Sequence, residues 1–179
     1  MKKVLIFVLL IFACTCAFAK NSSVGAYVSL YSVQSSKGLA DTSKCASKYG
    51  FGGKADYNFT FYSRMFGWTV GADLDINDYF YKNKAHGNDF TAALFVTGGI
   101  NLIDTEKGIV SFGLGLGPHI NAVGGDSSTN LAMMFKGTGT LHMYNNISLS
   151  AQLEGVVAFM GKNRSSFEFK TFAGVKRAF

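Results

Sequence analysis

The chain has 179 residues, of which 48% are hydrophobic, 15% aromatic and 16% charged, with 21 glycines, one proline, three cysteines and a formal net charge of +6. This excludes a disordered chain, a collagen repeat and a disulfide-dense scaffold, and the length suits one domain. A water-soluble domain carries about a quarter of its residues as Asp, Glu, Lys and Arg, so the shortage of charge points to a solvent other than water.

Residues 1–19 read as a secretory signal. Met1-Lys2-Lys3 is a basic start, Val4 to Ala13 is continuously apolar, and Ala17-Phe18-Ala19 is a small-x-small cleavage pattern that leaves Lys20 as the first mature residue. The apolar run falls short of the roughly 20 residues of a spanning helix, and no later stretch reaches that length. A competing reading attaches lipid at Cys14 or Cys16, but Phe12 stands where a small residue is wanted before Cys14. Cleavage removes Lys2 and Lys3 and no acid, lowering the charge from +6 to +4, and leaves Cys45 as a lone loop thiol that cannot form an internal disulfide.

From Lys20 to Phe179 the apolar residues recur with period two, the strand period, and no helical stripe is sustained. Eight segments follow in order. The first carries Val24, Ala26, Val28 and Leu30; the second Tyr49, Phe51, Ala55, Tyr57, Phe59 and Phe61; the third Phe66, Trp68, Val70, Ala72, Leu74 and Ile76. Next come Phe90, Ala92, Leu94, Val96, Ile100 and Leu102, then Val110, Phe112, Leu114, Leu116 and Ile120, then Leu131, Met133, Phe135, Leu141 and Met143. The last two carry Ile147, Leu149, Ala151, Leu153, Val157 and Phe159, then Phe167, Phe169, Ala173, Val175 and Phe179. Each is about the length of a tilted membrane strand.

Short connections fall near Ser63-Arg64-Met65, Asp104 to Lys107 and Asn145-Asn146, and longer polar ones at Gln34 to Ser47, Asn77 to Asn88, Asn121 to Asn130 and Gly161 to Ser166. Short turns at one end and long loops at the other predict an all-β, eight-stranded antiparallel up-and-down transmembrane β-barrel over residues 20–179. The face opposite the apolar one is rich in Gly, Ser and Thr, and the interior of an eight-stranded barrel is only wide enough to be filled by side chains. The bulky face therefore points outward, into lipid; its one charge is Arg177, at the end of the last segment. Phe61, Tyr62, Phe66, Trp68 and Phe179 gather at the short-turn end, and Tyr49, Phe51, Phe90, Phe159, Phe167 and Phe169 at the loop end, as two aromatic girdles. Gly53, Gly98, Gly137, Gly139 and Gly155 interrupt the lipid face and suggest kinks or close contacts.

The inward positions include Lys54, Asp56, Asp73, Asp75, Lys136, Glu154, Glu168 and Lys170. Strand arithmetic sets them roughly six to eleven residues from the short-turn end, in one layer near mid-membrane. Buried charges must be paired, so a lumenal salt-bridge network is expected, with Lys54 on Asp73 or Asp75, Lys136 on Glu154 and Glu154 on Lys170. His119 and His142 point inward too far apart to share a metal, and His86 lies in a loop; no metal site, catalytic residue or cofactor is expected.

On this pattern the chain resembles the small eight-stranded outer-membrane barrel family of the OmpA-barrel, OmpX and Ail type. The resemblance implies a bacterial outer-membrane location in a Gram-negative cell, both termini periplasmic. It also implies recognition by the barrel-assembly machinery through the last strand: Gly174 and the terminal Phe179 match that signal, whereas Arg177 stands where it prefers an aromatic residue. The expected role is structural or surface interaction, adhesin-like and without an open pore. Lys37, Lys44, Lys82, Lys84, Lys162 and Arg164 exceed Asp41, Asp78 and Asp126 in the loops, favouring lipopolysaccharide, outer-membrane lipid or a host ligand as partner, and not nucleic acid. Two alternatives remain. An OmpW-like channel for small hydrophobic molecules would use the inward Tyr27, Tyr31, Phe95, Met134, Val156 and Met160. A lipid A-modifying enzyme needs a His-x-Ser strand motif, but His119 precedes Ile120-Asn121 and His142 precedes Met143-Tyr144.

Overall fold

The computed structural model describes residues 21–37, 47–62, 67–80, 89–123, 126–159 and 165–179. The signal segment with Cys14 and Cys16, and likewise Ser63 to Phe66, Cys45, His86 and Met160, lie outside them. So do the loop charges Asp41, Lys44, Lys82, Lys84, Lys162 and Arg164.

Eight strands are present: β1 (Ser22–Lys37), β2 (Ser47–Tyr62), β3 (Gly67–Phe80), β4 (Asp89–Thr105), β5 (Gly108–Val123), β6 (Asp126–His142), β7 (Ile147–Phe159) and β8 (Ser165–Ala178). Each pairs antiparallel with its sequence neighbours, and β1 pairs with β8 to close the barrel. The seam runs from Ser23↔Ala178 to Lys37↔Ser165 and is capped by two backbone bonds, Asn21 N to Phe179 O (3.1 Å) and Phe179 N to Ser22 O (2.9 Å). No strand edge is left along this seam.

Burial is inverted relative to a soluble domain. Val28, Leu30, Leu74, Val96, Leu114, Leu116, Leu149 and Leu153 are exposed around the wall, while most fully buried side chains are polar or charged. Such a wall is stable only against hydrocarbon, so this is a transmembrane barrel. Phe61, Trp68 and Phe179 are exposed at the short-turn end, and Phe51, Phe90, Phe159, Phe167 and Phe169 toward the other. The glycines of the outer face are open: a Cβ at Gly137 or Gly139 meets nothing within 4 Å, and one at Gly53, Gly98 or Gly155 nothing closer than 3.5 Å. They are dimples in the wall, where kinks or close contacts were expected.

The strands are longer than the membrane requires. A 16-residue strand such as β1 at ~3.3 Å per residue and ~40° tilt rises roughly 40 Å, against an apolar band of about 25 Å. The surplus changes one expected loop. Asn121 to Asn130 is strand apart from two residues, with Asn121↔Ser128 and Val123↔Asp126 in register. Above the bilayer the strand meets water on both faces, so Ser127, Ser128 and Thr129 are exposed and the sequence looks like a loop while pairing as a hairpin. The remaining long connections are 38–46 and 81–88, with five residues at 160–164.

The turn at Asn145-Asn146 has φ of 51° and 62°, with Ile147 N donating to Tyr144 O at 3.0 Å. Two consecutive positive φ values make the primed two-residue hairpin whose twist matches its strands. Register shifts occur in β1 between Ser29 and Tyr31 and in β4 between Asn101 and Ile103. The first turns Leu30 and Tyr31 outward together and puts Ser32 and Gln34 inside, which removes Tyr31 from the expected lumen lining.

Candidate functional site

The bulge in β1, the alternation of the other strands and the absence of side chains at inward glycines together determine what meets at the axis. All eight charged residues expected inside are buried: Lys54 and Asp56 on β2, Asp73 and Asp75 on β3, Lys136 on β6, Glu154 on β7, and Glu168 and Lys170 on β8. Seven of them form two linked clusters, and Asp56 stands apart.

In the first, the Lys54 ammonium lies 2.6 Å from Asp73 and in contact with Glu154, and 5.6 Å above the ring of Phe172. Lys136 binds the same Asp73 oxygen, Oδ2, at 2.7 Å. In the second, Glu168 accepts from Lys170 (2.8 Å), Gln34 (3.0 Å) and Tyr79 (3.4 Å) and meets His119 Nε2 at 2.9 Å. Lys170 also reaches Asp75 at 3.3 Å, and Asp75 stands 4.0 Å from Lys54, joining the clusters.

Two expected pairs do not form. Lys136↔Glu154 and Glu154↔Lys170 are direct cross-strand neighbours, yet Lys136 takes Asp73, Lys170 takes Asp75 and Glu168, and Glu154 takes Lys54. The bore is narrow enough for a lysine to span, and glycine clears the way: a Cβ at Gly113 would lie 3.7 Å from Lys136 Cε, so Lys136 crosses that bare stretch of β5. Asp56 stands outside both clusters, its Oδ2 accepting from the Tyr27 hydroxyl (3.0 Å) and the Gln152 amide (2.9 Å).

Next to the charges sits a dry plug of Ala93 and Phe95 from β4, Ala132 and Met134 from β6, and Val156 and Ala158 from β7. Phe95, Met134 and Val156 are wholly buried against one another. Tyr27 is bonded to Asp56, so four of the residues considered for an apolar funnel, Tyr27, Phe95, Met134 and Val156, fill the lumen instead of lining an opening.

Several members were invisible to the pairing rule. His119, Gln34, Tyr79 and Gln152 are neutral or weakly basic and gave no charge signal, although their inward parity was available for all but Gln34. Phe172 was hidden by the aromatic-outside rule; it is buried beneath the Lys54 ammonium. His142 is exposed at the short-turn end, its Nδ1 3.0 Å from Ser148 Oγ. Gly174 lies under Tyr27: a Cβ there would strike the Ala26 carbonyl and come within 2.6 Å of the Tyr27 ring.

Below the clusters, at the short-turn end, the lumen opens into a polar cavity of about 270 Å³ lined by Asp56, Asn58, Asn101, Thr138, Lys136 and Lys176 among others.

No family model matches the sequence, and neither does any curated protein. Solved structures do. A neisserial surface protein, NspA, superposes with a TM-score of 0.58 at 18% identity, over 89% of this chain and 97% of that one. Ail, the attachment invasion locus protein of Yersinia pestis, gives 0.49 at 12% identity over 87% of this chain and 99% of that one. At such identities the likeness is one of fold: the chain has the closed eight-stranded architecture of the small outer-membrane barrels that its strand pattern resembles.

Proposed function

We propose that the protein is an integral outer-membrane barrel with its short turns and both termini in the periplasm, acting at the cell surface through its longer connections and carrying no open pore. The observation that supports this most is the filled bore: two interlocked ion-pair clusters and an apolar plug occupy the mid-section of the described barrel, as a lumen without an open path requires. A barrel closed in this way would present its rim and connections to the outside, which supports surface interaction with lipopolysaccharide or a host ligand as their role. We assign no enzymatic activity. His119 is engaged by Glu168, and His142 pairs with Ser148 without a carboxylate at its other ring nitrogen, so neither belongs to a Ser-His-acid triad among the described residues.

Two measurements test the reading. Planar-bilayer recordings of the refolded protein should show no large, stable conductance. Cells expressing it should bind host matrix or cultured cells more than a deletion strain does. Stable pores would sink the first half of the proposal, and equal binding by both strains the second.

A further inference from the structure

The outer wall is not uniformly bulky. Gly139 on β6, Ala151 on β7 and Ala173 on β8 are direct ladder partners in one outward row that starts at Val110 on β5. Leu141, Leu149 and Val175 form the next row on the short-turn side, each about half exposed. The small residues thus floor a predominantly apolar groove of about 870 Å³. Nothing inside the protein requires the glycine: a Cβ at Gly139 meets no atom within 4 Å, and glycine weakens a strand by its entropy and by the side chain it withholds. In hydrocarbon, where apolar surfaces have no water to escape, such a recess holds whatever shape makes the most van der Waals contact with it.

The groove also has a direction. Val110 lies two residues from the short-turn end of its strand, Gly139 three, Ala151 four and Ala173 five, so the row climbs from the rim into the bilayer. Three strand spacings of ~4.8 Å make it roughly 14 Å long, against about 15 Å for half of a ~30 Å hydrocarbon core, the depth of one leaflet's acyl chains. At the low end stands Lys107, the one charged residue among the described residues that line the groove. Its turn is fixed on both sides: Gly108 N donates to Thr105 Oγ1 at 3.2 Å, and His142 N donates to Lys107 O at 2.9 Å. Asp104 of the same turn is directed the other way, accepting from the Asn101 amide at 3.1 Å and lining the lumen, and Glu106 lies outside the groove. Lys107 is exposed and forms no ion pair among the described residues. A cation at the rim with an apolar trough one leaflet deep leading away from it matches an amphiphile with an anionic head. A second copy of the barrel would bring a convex apolar wall and no anion to Lys107. We infer that this groove holds one acyl chain of an anionic glycerophospholipid of the short-turn leaflet, with its phosphate on Lys107. The inference needs only the transmembrane wall and is independent of the closed bore and of any surface partner.

The test places the refolded protein in nanodiscs of equal palmitoyl-oleoyl phosphatidylglycerol and palmitoyl-oleoyl phosphatidylethanolamine and counts, by mass spectrometry, the lipid that stays on it after transfer to detergent. One phospholipid per chain should remain, with phosphatidylglycerol favoured about fivefold, the preference one lysine gives near an anionic headgroup. Lys107→Gln should bring that ratio to about one. Gly139→Leu fills the floor and should lower retention about tenfold. Gly98→Leu fills another open outward position, its nearest atom 4.0 Å away, and should leave retention unchanged. Ala151→Phe takes the place of Gly139→Leu if circular dichroism shows that variant unfolded. Phosphatidylglycerol carrying a nitroxide midway along one chain should broaden the backbone NMR signals of Gly139 and Ala151 more than that of Gly98. No retained lipid, equal retention of the two headgroups, a ratio indifferent to Lys107→Gln, retention indifferent to the groove-filling variants, or a pair of chains in place of the lipid overturns the assignment.

Discussion

Glu168 is the most heavily engaged side chain in the lumen, with Gln34, Tyr79, His119 and Lys170 all converging on its two oxygens. Lys54 is its counterpart among the cations, facing Asp73, Asp75 and Glu154 at once. Removing such a group strands several opposite charges in a low-dielectric interior, which costs about 3–5 kcal/mol for a buried pair. Lys54→Met should therefore lower the unfolding free energy by at least about that much in urea titrations of vesicle-inserted protein, and adding Glu154→Gln should recover part of the loss. Lys136→Met, which leaves Asp73 Oδ2 still paired with Lys54, should cost less. Gly174→Val sets bulk against the Ala26 carbonyl and the Tyr27 ring, an overpacking loss of about 1–3 kcal/mol in the same titration. That these residues face inward was legible from parity for all but Gln34, which lies beyond the β1 bulge. Their partners were not, because cross-strand adjacency names the nearest neighbour on the wall, whereas a lysine in so narrow a bore selects the acid across it.

At the level of strands, what the period-two pattern conveyed and what it hid have distinct causes. The core of every strand follows from strict alternation. The ends do not, since a strand that leaves the bilayer loses its outward apolar residues and keeps its hydrogen bonds, as Ser127 to Thr129 show. Bulges are hidden for another reason: at Leu30-Tyr31 and Leu102-Ile103 two adjacent apolar residues both face outward, which a parity count forces into one in and one out. The Asn145-Asn146 turn was legible because asparagine tolerates positive φ. Asn146→Gly should leave stability unchanged, while Asn146→Val places a β-branched residue at φ 62° and should cost about 1–3 kcal/mol, read from the unfolding midpoint. Tyr31→Asp sets a charge on the outward side of the β1 bulge. It should destabilise the barrel if that site lies within the bilayer and have little effect if it lies above, so its unfolding free energy maps the upper membrane boundary.

As a whole the molecule is a ring of strands whose interior is polar and whose exterior is apolar, so no partial assembly is comfortable in either solvent. Each strand carries charge on one face and hydrocarbon on the other, and only closure hides the charged face from lipid. Unfolding should be a single transition by tryptophan fluorescence and by circular dichroism together, with Trp68, the sole tryptophan, reporting the same midpoint as the strand signal. Removal of residues 165–179 should abolish that transition, because it leaves one edge of β1 and one edge of β7 unpaired. The seam itself has a further implication. Asn21 and Phe179 are hydrogen-bonded to each other across it, so the order in which the strands are written in the gene is only one of eight cyclic orders compatible with the same wall. Joining residue 179 to residue 21 through a short linker and opening the chain within 38–46 or 81–88 should yield a permuted protein with the same closed bore.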